Sequence, residues 1–185
     1  MRVIGGKWKS RKINSLYKAS YNPFIRPTAD RVKENIFNIL ENLEAGNPIL
    51  GARVLDIFCG TGAMGIEAIS RGASFCSFID YSFISKQITE ENINILCCKN
   101  KTKFLLRNSM NLGVCPYEKY NLIFLDPPYK KNLLSKTIKN LCKFGWIDKK
   151  AILIVEKDKN EEFNFKLQLI DNRIYGNTEI LFLKI

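Results

Sequence analysis

From residue 52 onward, short apolar runs alternate with stretches of helical periodicity, and this alternation restricts the fold more than any other feature of the chain. ARVLDIF (52–58) reads as a strand and AMGIEAISRG (63–72) as a helix ending at Gly72. SFCSFID (74–80) is a second strand and residues 83–98 a second helix. TKFLLRN (102–108) and NLIFLD (121–126) follow as strands, then a helix over about 132–144, then the strand AILIVEK (151–157). The tail, LQLIDNRIYG and TEILFLKI, reads as two strands around Gly176-Asn177. Strands that alternate with helices form a parallel sheet with helices on both faces. The expectation is a Rossmann-like α/β fold whose mostly parallel sheet is closed by an antiparallel hairpin.

Upstream, TADRVKENIFNILENL (28–43) places Val32, Ile36, Ile39, Leu40 and Leu43 on one helical face, with Thr28 as N-cap after Pro27. The first twelve residues hold Arg2, Lys7, Lys9, Arg11 and Lys12 besides the amino terminus. Gly5-Gly6 between two β-prone stretches predicts a small hairpin there. The 185 residues fit one domain, with residues 1–25 as a basic N-terminal extension and 26–185 as the core.

Composition narrows the chemistry. Histidine is absent, which removes every Ser-His and Cys-His nucleophile arrangement. The six cysteines contain no C-x-x-C pair, so no metal site is expected, and they read as reduced core thiols. No run of about 20 apolar residues exists to span a bilayer, and the N-terminus lacks the apolar segment of a signal peptide, so a cytoplasmic protein is expected. A net charge of +11 favours a polyanionic partner. A generally lysine-rich, solvated surface explains the charge equally well. The basic ribbon around Trp8 suits RNA or DNA backbone, unless Trp8 is a terminal-strand residue tucked against the body.

Gly60, Gly62 and Gly65 in DIFCGTGAMG (56–65) satisfy G-x-G-x-x-G between a strand and its helix, where glycines permit a tight turn and close approach of a ligand. Asp80 closes the next strand and can accept both ribose hydroxyls of an adenosine cofactor. Two cofactors compete at this point. A dinucleotide would set its pyrophosphate on the helix N-terminus. S-adenosylmethionine would place its amino-acid part at the loop, typically with an acid ending the first strand, and Asp56 is such an acid.

Asp56, Asp80, Asn108 and Asp126 each close a predicted strand, so four polar side chains are expected on one rim. A single such acid can equally be a helix cap or ion-pair partner. Asp126-Pro127-Pro128-Tyr129 has a logic for methylating an exocyclic amine. That nitrogen shares its lone pair with the base and is a poor nucleophile. The Asp126 carboxylate and Pro127 carbonyl can draw on its hydrogens, the prolines hold that carbonyl still, and Tyr129 can stack on an extruded base. The cofactor carries the hard chemistry, and nicotinamide chemistry leaves the tetrapeptide unexplained.

DPPY resembles the [DNS]-PP-[YFW] signature of amino-directed nucleic-acid methyltransferases. RVIGGKWKSRKI, RPTADRVKENIFNIL, LDIFCGTGAMGIEAISRGA and LDPPYKK, in that order, resemble the successive motifs of RsmD-type 16S rRNA guanine-N2 methyltransferases. The resemblance covers most of the chain. It implies a seven-stranded methyltransferase fold and S-adenosyl-L-methionine as cofactor. The implied partner is 16S rRNA in the small ribosomal subunit or an assembly intermediate, acted on by a monomer. By the same resemblance Asp56, Phe58, Gly60, Thr61, Gly62, Asp80, Asn108 and Thr28 bind the cofactor, with Asn108 standing where many methyltransferases carry Asp. Asp126, Pro127, Pro128 and Tyr129 form the catalytic motif, and Arg26-Pro27-Thr28 border cofactor and target. Arg2, Lys7, Trp8, Lys9, Arg11, Lys12, Arg26 and Lys130 are the expected RNA contacts, although Lys130 and Lys131 equally suit the start of a solvated helix. Two other readings stand beside this one: an N6-adenine methyltransferase, since DPPY does not separate the two amines, and a non-catalytic RNA-binding assembly factor.

Overall fold

A computed structural model describes residues 1–15, 30–128, 133–163 and 165–185. Its centre is one seven-stranded sheet. The strands are β1 (Arg53–Ile57), β2 (Phe75–Asp80), β3 (Thr102–Leu106), β4 (Tyr120–Leu125), β5 (Ile147–Asp158), β6 (Gln168–Tyr175) and β7 (Thr178–Lys184). Their order is β3-β2-β1-β4-β5-β7-β6. The first five are parallel, and β7 runs antiparallel to both β5 and β6, as the tail pattern predicts. The strand order reverses between β1 and β4, which is where doubly wound sheets open a crevice beyond the strand ends.

The helices are α1 (Asp30–Glu41), α2 (Ala63–Ser70), α3 (Phe83–Ile95) and α4 (Leu133–Lys143). One sheet face packs Val54, Phe78, Phe124 and Phe182 against Ile36, Phe37 and Leu40 of α1, Ile66 of α2 and Ile93 of α3. The opposite face packs Leu55, Ile57, Ile123 and Leu153 against Leu134, Ile138 and Leu141 of α4. Covering both faces is why the central strands are apolar in nearly every position. Strand β5 starts four residues before the predicted 151, because Ile147 pairs with Tyr120 ahead of a register shift in β4.

The N-terminal segment doubles back as expected. Val3 N–H donates to the Arg11 carbonyl, Ser10 N–H to that of Val3, and Arg2 bridges Lys12. The tip differs from a tight Gly5-Gly6 turn. It is a short 3-10 turn over Gly6–Trp8, followed by Ser10 at φ 69°. The reason lies in α2. Glu67 takes the N–H groups of Ile4 and Gly5, which a turn there would otherwise use, at 2.8 and 2.7 Å. Gly6 lies so close to the Ser70 carbonyl that a Cβ would sit 1.9 Å from its oxygen. Val3 and Ile13 join the first core cluster, and Trp8 packs half-buried against it rather than standing exposed. All six cysteines are free thiols. Cys59, Cys76 and Cys98 are buried, whereas Cys97 and Cys142 are exposed, so the core reading holds for only part of the set. Among the described residues no helix is long and apolar enough to cross a membrane.

Candidate active site

The four predicted polar positions stand at the carboxyl ends of four adjacent strands, β3, β2, β1 and β4. Ile57 pairs with both Ile79 and Leu125, so Asp80 and Asp126 each come one residue after a residue in register with the end of β1. Asp56 is the penultimate residue of β1 and 3% exposed. Asp126 follows β4 directly and is half-buried, Pro127 is buried and Pro128 half-buried. Asn108 lies two residues beyond β3, exposed, and its Oδ1 accepts the Met110 N–H at 2.9 Å. Its side-chain carbonyl therefore shapes the local turn. Thr28, Arg26, Tyr129 and Lys130 lie outside the described residues.

Between β1 and α2 the chain makes the turn that the glycines predict. Phe58, Gly60 and Gly62 take φ of 61°, 54° and 75°. For an aromatic residue that region is strained, on the order of 1–3 kcal/mol, and such strain concentrates at ligand-binding turns. The glycines answer mainly to the chain itself. A Cβ on Gly65 would lie 2.4 Å from Cys76 Sγ and 2.5 Å from the Phe78 ring, and one on Gly62 would lie 2.8 Å from Thr89 Cγ2. Close packing of α2 and α3 on β2 thus requires both, which is the packing role that such a glycine loop can have with or without a ligand.

Asp80 links three elements. Its Oδ2 accepts the Gly60 N–H at 3.1 Å and its Oδ1 the Ser82 N–H at 2.9 Å, beside the Ser82 cap of α3. The cap of α3 is thus Ser82 itself, and Asp80 holds that cap residue in place. Each carboxylate oxygen has two lone pairs, so two N–H bonds leave acceptor capacity for hydroxyl groups. Asp56 Oδ2 accepts the Gly65 N–H at 2.9 Å. Burial pushes this carboxyl up to about 8, the negative charge of Asp80 adds to the rise, and the Gly65 N–H opposes it. A buried acid of this kind favours a cation brought against it. Among the described residues no His, Cys, Asp or Glu cluster could hold a metal. The donor set, acceptors around a glycine turn, fits a cofactor with hydroxyl groups and a positively charged end.

Two residues that the sequence does not single out hold this region in place. Asn92 of α3 is fully buried. Its Nδ2 donates to the Thr61 carbonyl of the glycine turn at 3.0 Å and to the Asn14 carbonyl at 3.2 Å, and its Oδ1 accepts the Asn14 N–H at 2.6 Å. Thr89 Oγ1 donates to the Gly60 carbonyl at 3.1 Å. The glycine turn and the N-terminal ribbon thus share an anchor. The RNA-contact candidates of that ribbon divide. Lys7, Lys9, Arg11 and Lys12 are exposed, while Arg2 pairs with Asp30 at 3.6 Å. A groove of about 1750 Å³ is lined by Asn42, Arg53, Asn121 and Gln168, with Arg53, Asn121 and Gln168 at the amino ends of β1, β4 and β6, so cavity size does not point to the rim.

The family model described as Conserved hypothetical protein 95 matches residues 1–184. The Ribosomal RNA small subunit methyltransferase D of Escherichia coli strain K12 is 34% identical over 158 residues, covering 85% of this chain and 75% of that protein. Its namesake from Haemophilus influenzae is 30% identical over 164 residues, covering 87% and 80%. The solved structure of the Escherichia coli protein yhhF superposes with a TM-score of 0.83 at 30% identity, covering 100% of this chain and 97% of that one. With the glycine turn, Asp80 and the Asp-Pro-Pro segment all at the switch point of the sheet, the chain belongs to the ribosomal RNA small subunit methyltransferase D family.

Proposed function

We propose that this protein transfers a methyl group from S-adenosylmethionine to the exocyclic N2 amine of a guanine in the 16S rRNA of the small ribosomal subunit. One observation carries the reading. Asp126-Pro127-Pro128 follows β4 immediately beside β1, whose end carries the glycine turn. Amine acceptor and cofactor turn are thereby neighbours at the switch point.

The cofactor brings a methyl group already activated on a sulfonium centre. The chain's own work is to bind, orient and polarise. Asp80 holds hydroxyl groups at the end of β2, and Asp56 with the Gly60–Gly62 turn holds the amino-acid end. At β4 the Asp126 carboxylate and the Pro127 carbonyl accept the two amine hydrogens. Proline fixes φ near about −65°, so that carbonyl is aimed before the base arrives. Holding both hydrogens frees the nitrogen lone pair from the ring. With S-adenosylmethionine held by Asp80, Asp56 and the glycine turn, its sulfonium methyl group would be the acceptor for that lone pair. The surplus amine proton leaves along the Asp126 hydrogen bond to solvent.

The test is transfer of labelled methyl from S-adenosylmethionine to small subunits that lack the modification, followed by nucleoside mapping. N2-methylguanosine in 16S rRNA is expected. Label on adenine N6 would replace guanine as the target, and cofactor binding with no transfer to any RNA would favour the assembly-factor reading. Asp126→Ala should lower kcat by about 100-fold or more, the scale of losing one positioned polar contact, with cofactor Kd unchanged. Equal loss of both would remove Asp126 from the amine site.

A further inference from the structure

Two stretches of the chain contain no acidic residue, 1–29 and 92–117. The fold brings their described parts together. The N-terminal ribbon crosses the C-terminal ends of α2 and α3: Trp8 N–H reaches Ser70 Oγ at 3.0 Å, and the Arg11 guanidinium donates to the Ile95 carbonyl at 3.3 Å. That carbonyl ends α3, where the helix dipole is negative. Just beyond it, the 3-10 turn Lys99–Lys101 exposes Lys99 and Lys101. Among the described residues, none of Lys7, Lys9, Arg11, Lys12, Lys99 and Lys101 forms a salt bridge. The nearby acids of α3 are engaged elsewhere, Glu90 with Lys86 at 4.0 Å and Glu91 with the amides of Asn14 and Gln87.

We infer that the ribbon and the Lys99–Lys101 turn form one phosphate-binding surface at the foot of α3, which grips the RNA backbone several nucleotides from the target base. Helix α3 begins at the rim, just after Asp80, and its 13 residues put the foot about 20 Å away. A single nucleotide at the rim cannot reach that far, whereas a folded RNA element can. Asn92, which holds both Asn14 and Thr61, makes the ribbon and the cofactor turn one rigid track. RNA is favoured over an anionic lipid surface because the patch sits at the foot of the helix that starts at the rim, and Asn92 of that helix ties the ribbon to the glycine turn. The inference rests on the RNA-methylating reading above.

The experiment compares Lys99→Gln/Lys101→Gln, Arg11→Gln and, as control on the far face of the sheet, Lys136→Gln/Lys139→Gln on α4. Binding of 16S rRNA is measured across a potassium chloride series, along with methyl-transfer kinetics, cofactor Kd and Tm. Each phosphate contact contributes ~0.7–0.9 to the slope of log Kd against log salt. The lysine pair should lower that slope by roughly 1–2 and raise KM for rRNA about tenfold, at unchanged kcat, cofactor Kd and Tm. Arg11→Gln should lower the slope by about 1, and the α4 pair should behave as wild type. A wild-type slope and KM in the Lys99/Lys101 variant would overturn the surface, as would an equal loss in the α4 control. So would loss of binding to anionic vesicles but not to RNA. Should the wild type bind rRNA without methylating it, the functional reading fails, while the slope still decides the surface.

Discussion

Two carboxyl groups, eleven residues apart and both sealed from water, meet opposite fates. Glu67, on the ribbon side of α2, is surrounded by partners. Its oxygens accept the Ile4 and Gly5 N–H groups and Arg71 Nε at 2.9 Å, and Lys33 Nζ lies 3.5 Å away. Arg71 continues to Glu41 at 2.9 Å, and Lys33 also donates to the Arg2 carbonyl at 2.7 Å. Asp56, on the rim side, accepts the Gly65 N–H and faces the like charge of Asp80. A buried charge matched with donors and cations is an anchor. Among the described residues no cation stands beside Asp56, which suits the proposed role of meeting the cationic end of a cofactor. The difference separates the part of the molecule that is tied down from the part proposed to receive a ligand.

The largest expected effect breaks the anchor. Glu67→Ala leaves Lys33 buried without its counter-charge, its ordinary basicity already lowered by burial against the pull of Glu67. Removing one partner of a buried pair costs about 3–5 kcal/mol, a large share of the ~5–15 kcal/mol that holds a typical domain. Urea denaturation should show that loss. Glu67→Leu combined with Lys33→Met should recover part of it, since the Lys33 charge is then gone while the Ile4 and Gly5 N–H groups still lose their acceptor. A loss below about 1 kcal/mol for Glu67→Ala, the scale of an exposed pair, would mean the ribbon is held by packing instead.

The rim is largely legible in the sequence and the anchor is not, for a physical reason. Asp80 and Asp126 interrupt apolar strand runs at their ends, and the glycines punctuate a strand-to-helix passage, so each leaves a local mark. Glu67 leaves a fainter one, a glutamate between Ile66 and Ala68 in a helix that is apolar nearly all round. Such a charge must find partners, but two of its partners are backbone N–H groups 62 and 63 residues away. Side-chain patterns do not encode backbone donors. The same holds for Asn92, whose partners are two backbone carbonyls and one N–H. The tip of the ribbon departs from the expected hairpin for this reason too: its turn is set by contacts with α2, not by Gly5-Gly6 alone.

A middle-sized effect joins the two regions. Asn92→Ala removes three hydrogen bonds from a fully buried site and takes the Asn92 donor away from the Thr61 and Asn14 carbonyls. Unpaired buried groups cost about 1–3 kcal/mol each before relaxation, so a loss of about 2 kcal/mol is expected, together with weaker cofactor binding from the loosened turn. Asn92→Asp keeps the acceptor for the Asn14 N–H but loses the donor to the Thr61 and Asn14 carbonyls, so the ribbon retains one of its two bonds and the glycine turn none. It should therefore impair cofactor Kd more than it impairs RNA binding. Equal impairment of both would show that Asn92 serves the core in general.

The smallest effect reads the poised acid directly. With its carboxyl held up to about 8 by burial, folded Asp56 keeps its proton through neutral pH, whereas the unfolded chain loses it near about 4. The folded state therefore binds the extra proton between those values, and stability from this group is complete below about pH 4 and declines as pH rises toward 8. Asp56→Asn removes that slope. Relative to wild type, the variant should gain about 1 kcal/mol in urea denaturation at pH 8 compared with pH 7, because one extra bound proton changes stability by up to about 1.4 kcal/mol for each pH step of one. The same substitution should weaken cofactor binding, because an amide cannot become the anion that a cationic amino-acid end would meet. A pH-independent difference between variant and wild type would mean that Asp56 is already ionised in the free protein, and the contrast with Glu67 would then lie in partners alone.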